Sequence, residues 1–150
     1  MIDATNYIID HKRRGEWAEL RFMADATHRG LTVSKPWGDS EPYDVTVEHN
    51  GQFQRVQVKS ALHRDGASYH CGLRNYGRAH GYQSHQLDFF AILIVQEELW
   101  YILPVQVALI SCSRTICLTP SRKGNKYDAY KEAWHLLMHP PKMAGGVEQR

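Results

Sequence analysis

Asp44, Gln57 and Lys59 stand at one end of a predicted β-hairpin, and their types and spacing suit hydrolysis of a phosphodiester at a metal ion. The turn is His49-Asn50-Gly51, and Asn-Gly between alternating apolar residues is the strongest short-range hairpin cue. With Asn50-Gly51 as the loop, His49 faces Gln52 and Asp44 falls opposite Gln57. A period of two puts Lys59 on the face of Gln57 and turns Val45, Val47, Val56 and Val58 to the other side. A carboxylate there is a hard oxygen ligand, and Mg²⁺ usually takes one or two carboxylates together with waters and phosphate oxygens. Gln57 offers a neutral amide oxygen. Lys59 can neutralise charge on an attacked phosphate, or help to position and deprotonate a water. Metal binding therefore leans on Asp44, on Glu19 from an upstream helix and on the Val58 backbone carbonyl. The plain alternative is an exposed ion pair between Asp44 and Lys59 across the strands, worth roughly 0.2–1 kcal/mol.

The elements that must position these groups follow from periodicity. A helix over residues 13–28 carries Gly15, Glu19, Phe22, Met23 and Ala26 on one stripe, with Gly30 as its stop. If that stripe packs on the hairpin, Glu19 is aimed toward Asp44; Glu16 is its nearest competitor. Residues 31–33 read as a short strand broken by Pro36. The loop of residues 36–42 leads into the strand of Asp44, with Trp37 expected as core filler. Residues 67–73 form a further strand, while residues 74–86 show neither helix nor strand period, as a functional or mobile segment does. His70, Cys71, His80 and His85 match no common zinc spacing, and adjacent His70 and Cys71 alternate across a strand. Residues 89–95 are continuously apolar, fitting a strand buried on both faces. With its partner, residues 99–103, it is expected at the centre of the sheet. A short helix over residues 105–109, a strand over 115–118 and an amphipathic helix over 130–139 complete the chain. That helix buries Tyr130, Ala133, Trp134 and Leu137, and residues 139–150 form a flexible tail.

Composition narrows the classes. The 150 residues suit one domain, and 43% hydrophobic with 23% charged residues is ordinary for a globular protein. No apolar run approaches the ~20 residues that span a bilayer, and no signal pattern opens the chain, so a cytoplasmic protein is expected, with no membrane partner. Cys71, Cys112 and Cys117 form no Cys-X-X-Cys and cannot all pair, which suits a reducing compartment. The net charge of +2 says little about partners. Clustering says more: Lys12, Arg13 and Arg14 before the first helix, Arg74 and Arg78 in mid-chain, and Arg122, Lys123 and Lys126 near the end are what phosphate contacts require, although solvated surface explains each one equally well.

Asp44, the hairpin and Gln57-Val58-Lys59-Ser60 together resemble the PD-(D/E)XK nuclease superfamily, and most closely its group I intron homing endonuclease branch, in which Gln replaces the acid. Further parallels are Lys12-Arg13-Arg14-Gly15-Glu16 ahead of Ala18-Glu19, Lys35-Pro36-Trp37-Gly38-Asp39, Asp88-Phe89, Pro104-Val105 and Tyr130-Lys131-Glu132-Ala133-Trp134-His135-Leu136. They run from residue 12 to residue 137. Tyr43 stands between Pro42 and Asp44, so the literal Pro-Asp pair is absent. The resemblance implies an α/β, restriction-endonuclease-like mixed sheet flanked by helices in a single domain. It implies Glu19, Asp44, Gln57 and Lys59 as catalytic residues, and Glu19, Asp44 and Val58 around Mg²⁺, with Mn²⁺ able to substitute. It also implies DNA contacts by Lys35, Arg74, Asn75, Tyr76 and Arg78. The expected activity is site-specific cleavage of double-stranded DNA by a homodimer or homotetramer, since a double-strand break needs two active sites. The alternatives are a structure-specific, restriction or repair nuclease such as a junction resolvase, a DNA-binding module whose catalysis Gln57 has weakened, and a structural interaction domain.

Overall fold

The computed structural model describes residue 8 and residues 10–74, 82–110 and 114–141. Its organising element is a hairpin of β2 (Val45–His49) and β3 (Gln52–Ala61). Asn50 and Gly51 both take positive φ, 50° and 79°, as a two-residue turn of the twist-compatible kind demands. Val45 therefore pairs with Val56 and His49 with Gln52, the expected register. β1 (Thr32–Ser34) adds antiparallel to β2, and β6 (Phe89–Ile94) adds parallel to β3, followed by β7 (Leu99–Pro104). The sheet order is β1-β2-β3-β6-β7. β4 (Arg64–Asp65), β5 (Ser68–Gly72) and β8 (Thr115–Leu118) form a second sheet in the order β4-β5-β8.

Period-two alternation divides the interior. Val45, Val47, Val56, Val58, Phe89, Ala91, Leu93, Trp100 and Ile102 belong to one core. Against them packs α1 (His11–His28), through Ala18, Phe22 and Ala26. Phe90, Ile92, Ile94, Tyr101 and Leu103 point the other way, into a second core with Tyr69, Cys71, Ile116, Leu118 and α2 (Val105–Ile110). Gln57 and Lys59 share that second face, where the strand passes from the sheet toward the small sheet. At the start of the parallel pairing, Arg55 donates to Asp88 from its backbone at 2.7 Å and from its guanidinium at 3.1 and 3.2 Å. This clamp sets the β3–β6 register, and with it the height of Lys59 in the sheet.

The helix that carries Glu19 is fixed at several points. Asp10 caps it by accepting from the Arg13 N–H at 2.8 Å. Phe22 stacks on Trp134 and meets Trp100 edge-on, both at 5.5 Å between centroids, and Trp100 Nε1 donates to Asp25 at 2.8 Å. The buried stripe is Arg14, Ala18, Phe22 and Ala26. It is rotated by about one residue from the expected one, leaving Gly15 and Glu19 half-buried on its flank rather than beneath it.

Three expectations are corrected. β7 is an edge strand, not the centre, and β3 is the middle strand. It is nonetheless buried because residues 131–134 run along its open side, with Lys131 bridged to Tyr101. The same contact limits the last helix to α3 (His135–Met138), preceded by a 3₁₀ turn at Asp128–Tyr130. Glu132 takes φ 51°, which interrupts any helix, because its backbone N–H donates to the Trp100 carbonyl at 2.7 Å. Its carboxylate accepts from the Trp100 N–H at 2.6 Å and from Trp134 Nε1 at 2.8 Å. Glu132→Ala is expected to destabilise the fold by about 2 kcal/mol, since two buried donors lose a charged acceptor; urea unfolding with an unchanged slope would measure it. Finally, Trp37 is fully exposed and fills no core. The loop around it turns through Gly38, at φ 76°, and leaves the indole outside.

Candidate active site

Asp44 is the residue at which β2 parts from β3. Its backbone N–H still donates to the Val56 carbonyl at 3.0 Å. One step further along β3, the Val58 N–H receives no backbone partner from β2 and donates to Asp44 Oδ2 at 2.8 Å instead. The side chain thus takes the place of a ladder bond and the strands diverge around it. A strand residue turns its N–H and C=O toward the same edge, so the Val58 carbonyl faces the gap that Asp44 opens.

That gap is one end of a cleft of about 720 Å³ lined by His11, Arg14, Gly15, Glu19, Asp44, Gln57, Val58, Lys59, Ser60, Leu62, His63, His70 and Gly72. All four expected catalytic residues are among them: Glu19 arrives from α1, Asp44 from the start of β2, and Gln57 and Lys59 from one face of β3. Asp44 and Lys59 do not form an ion pair. The Lys59 ammonium instead lies 5.1 Å from the centroid of the Tyr82 ring, on its face.

The electrostatics join the two carboxylates. Burial pushes the Asp44 carboxyl up, and the negative charge of Glu19 pushes it further, to about 6 from 3.8. The Val58 N–H and the charges of Lys59 and Lys35 act in the opposite direction without cancelling it. Desolvation and a like charge are the two causes that raise a carboxyl, and together they mark a place short of positive charge. Two carboxylates, a free-edge carbonyl and the amide oxygen of Gln57 are hard oxygen donors, the set that suits Mg²⁺ or Mn²⁺.

The basic residues fall into different situations. Lys12 and Arg13 are exposed on the first turn of α1, and Arg74 is exposed beyond β5. Lys35 is ion-paired with Glu19, so it belongs to the site itself. Arg14 is only 7% exposed and lies in the cleft wall. It contacts Ser60 Oγ at 3.2 Å, the Ile8 carbonyl at 3.2 Å and His11 Nδ1 at 2.9 Å. Asn75, Tyr76 and Arg78 lie outside the described residues, as do His80 and Cys112. Ser60 and His63 line the cleft without having been expected there, while His70 was expected as a surface or cleft histidine and lines it. Ser60 follows Lys59 directly and was available as a signal; His63 lies in the link from β3 to β4 and His70 on β5, placements that nothing local foretells. His70 and Cys71 do face opposite ways, the one into the cleft and the other into the core.

The sequence profile of the PD-(D/E)XK endonuclease family matches residues 9–137. The chain belongs to that family. As a PD-(D/E)XK endonuclease, it is a nuclease built on a mixed sheet flanked by helices. Among solved structures, it is similar to the bacterial homing endonuclease I-Ssp6803I at 29% identity and a TM-score of 0.74, over 88% of this chain and 94% of that one. No curated protein matches it. The likeness of this PD-(D/E)XK endonuclease to a homing endonuclease agrees with the resemblance carried by Gln57-Val58-Lys59-Ser60. Among its described residues, no helix is long and apolar enough to cross a membrane.

Proposed function

We propose that this endonuclease is a Mg²⁺-dependent, site-specific cutter of double-stranded DNA, acting as a symmetric homodimer or homotetramer on a long recognition site. The observation that carries the proposal is the meeting of Glu19, Asp44, Gln57 and Lys59 in one cleft, with the Asp44 carboxyl raised by burial and by the charge of Glu19. Site specificity is supported by the likeness to a homing endonuclease.

Asp44, Glu19 and the Val58 carbonyl are the groups that would hold the ion, with Gln57 as a neutral fourth donor. A divalent cation bound there polarises a phosphate and lowers the pKa of a coordinated water. The chain's own residues supply the rest. Lys59, held over Tyr82, directs a fixed positive charge at the place where negative charge grows on the phosphate. The Gln57 amide, which lines the same cleft as Asp44, orients the attacking water. Lys35, ion-paired with Glu19, would be available to a DNA phosphate wherever that carboxylate served a bound cation. Lys12, Arg13 and Arg74, all exposed, add sequence-independent attraction to the backbone.

Supercoiled plasmid incubated with the protein and Mg²⁺ should be nicked and linearised, and chelation should stop it. Plasmid that stays intact, as it does with a Glu19→Ala control, would count decisively against the nuclease reading. Selection of cleaved molecules from a randomised duplex library tests specificity: one long shared site is expected, whereas preferential cutting of flaps or four-way junctions would favour a structure-specific enzyme.

A further inference from the structure

His70 is a cleft residue that the catalytic set leaves unused. It comes from β5 of the small sheet, yet lines the same cleft as Glu19, Asp44, Gln57 and Lys59. Its backbone N–H donates to the His63 carbonyl at 3.0 Å, which ties the position of the ring's strand to the segment leaving β3. Across the β5–β8 pairing its partner is Cys117, whose Sγ lies 3.2 Å from His70 Nδ1. Cys117 is exposed; it differs in this from Cys71 one residue along, which is packed in the core and pushed by burial up to about 12.

This pairing bears on what the imidazole offers. A neutral imidazole carries one donor and one acceptor nitrogen. In the tautomer where the thiol donates to Nδ1, the proton is on Nε2. Nε2 has no hydrogen-bond partner among the described residues. In that tautomer a donor N–H belongs to a residue lining the same cleft as the Lys59 ammonium, a group that only donates. Away from the carboxylates of Glu19 and Asp44, these two donors fit a ligand that offers acceptors, and a DNA phosphate is one: anionic, with two non-bridging oxygens.

We propose that His70 is a direct substrate contact, its Nε2–H donating to a non-bridging oxygen of a DNA phosphate beside the scissile one, with Cys117 as the positioning residue that fixes the ring. The proposal rests on the nuclease reading for the identity of its ligand, but not on catalysis taking place.

The test is affinity for a random-sequence duplex pool in Ca²⁺, measured by fluorescence anisotropy on the full chain and on His70→Ala, His70→Gln, Cys117→Val and Cys117→Ser. His70→Ala should raise the Kd about tenfold, as loss of a hydrogen bond to a charged group does. Cys117→Val should raise it by about threefold, while Cys117→Ser, which keeps a donor to Nδ1, should stay within about twofold of the parent. Heat-unfolding midpoints identify variants that are folded. Should His70→Ala fail to fold, His70→Gln, which keeps an N–H but not one that Cys117 can fix, should show a loss of about threefold. A folded His70 variant that binds as tightly as the parent overturns the proposal, as does a parent with no affinity for the duplex. The same proteins are scored for plasmid cleavage in Mg²⁺. A parent that binds without ever cutting sinks the nuclease reading and leaves the His70 result standing; a parent that cuts, with His70→Ala unchanged in both assays, sinks the His70 proposal alone.

Discussion

Lys59→Ala should slow DNA cleavage by about 10²- to 10³-fold, the usual cost of removing a preorganised group aimed at transition-state charge. Lys59 is on β3, the middle strand of the sheet, in a register set by the Arg55–Asp88 clamp, and its ammonium lies over Tyr82. It is therefore preorganised, which is the condition for so large an effect. Mg²⁺ uptake should survive, because the ligands are oxygens of other residues. A second consequence separates a charge role from a packing role. Lys59 favours the ionised form of Asp44, so without it the carboxyl ionises at a higher pH and the acid limb of the single-turnover rate profile moves up. Lys59→Met, nearly the same length without charge, should repeat both effects, while Lys59→Arg should restore the position of the limb. If Lys59→Ala cleaves at the parent rate, or if its acid limb stays in place, the role assigned here is wrong.

The hairpin and its polar edge were legible because every cue was local. Asn50 and Gly51 specify a turn, a turn of that length specifies register, and register with period two puts Gln57 and Lys59 together; Asp44, expected opposite Gln57, lies beyond the last ladder pair, Val45 with Val56, and its backbone N–H donates to the Val56 carbonyl instead. Residues 89–95 were equally clear as a strand buried on both faces. Position in the sheet was less legible. The apolar run of residues 89–95 points to its hairpin as the centre of the sheet, but a hairpin whose outer strand is covered by another segment is just as apolar, and the cover here is residues 131–134, some thirty positions away. The expected helix over residues 130–139 failed for the same reason. Its apolar spacing was helical, but the backbone at Glu132 is committed to Trp100, and one long-range pair outweighed a weak local propensity.

Side chains brought together by topology were the least legible. Arg14 reads as one of three consecutive basic residues, and only the approach of α1 to Ser60, 46 positions distant, withdraws it from the exposed cluster into the cleft wall. His63 and His70 enter the cleft because the chain leaving β3 turns at once into the small sheet, whose third strand comes from beyond residue 114. Trp37 misled in the opposite sense. An indole is usually core, and nothing in Lys35-Pro36-Trp37-Gly38-Asp39 says that it stays outside. Glu19 was recovered through the family resemblance as much as through its helical position, since the actual buried stripe runs beside it and not through it.

Asp44→Asn should abolish cleavage and yet make the metal-free protein more stable at neutral pH. Burial and the charge of Glu19 hold the folded Asp44 carboxyl at about 6, above its unfolded value of 3.8. A group raised on folding contributes its stability in the protonated form, fully below the unfolded pKa, and loses it as pH rises through the folded one. In the ionised state above about pH 7 the fold therefore bears a cost of about 3 kcal/mol at this one side chain. The asparagine amide has no charge to desolvate or to repel Glu19, and its oxygen can still accept from the Val58 N–H. The gain should thus be absent below pH 4, grow between pH 4 and 6 and level off above, as followed by urea unfolding in chelator across that range. Mg²⁺ should reverse the order of the two proteins. At about 100 times its Kd it adds about 2.7 kcal/mol to a protein that binds it, and it should add little to the variant, which has lost a charged ligand. A variant no more stable than the parent at pH 8 in chelator, or one stabilised by Mg²⁺ as strongly as the parent, would show that Asp44 is not the strained, metal-seeking carboxylate on which the site depends.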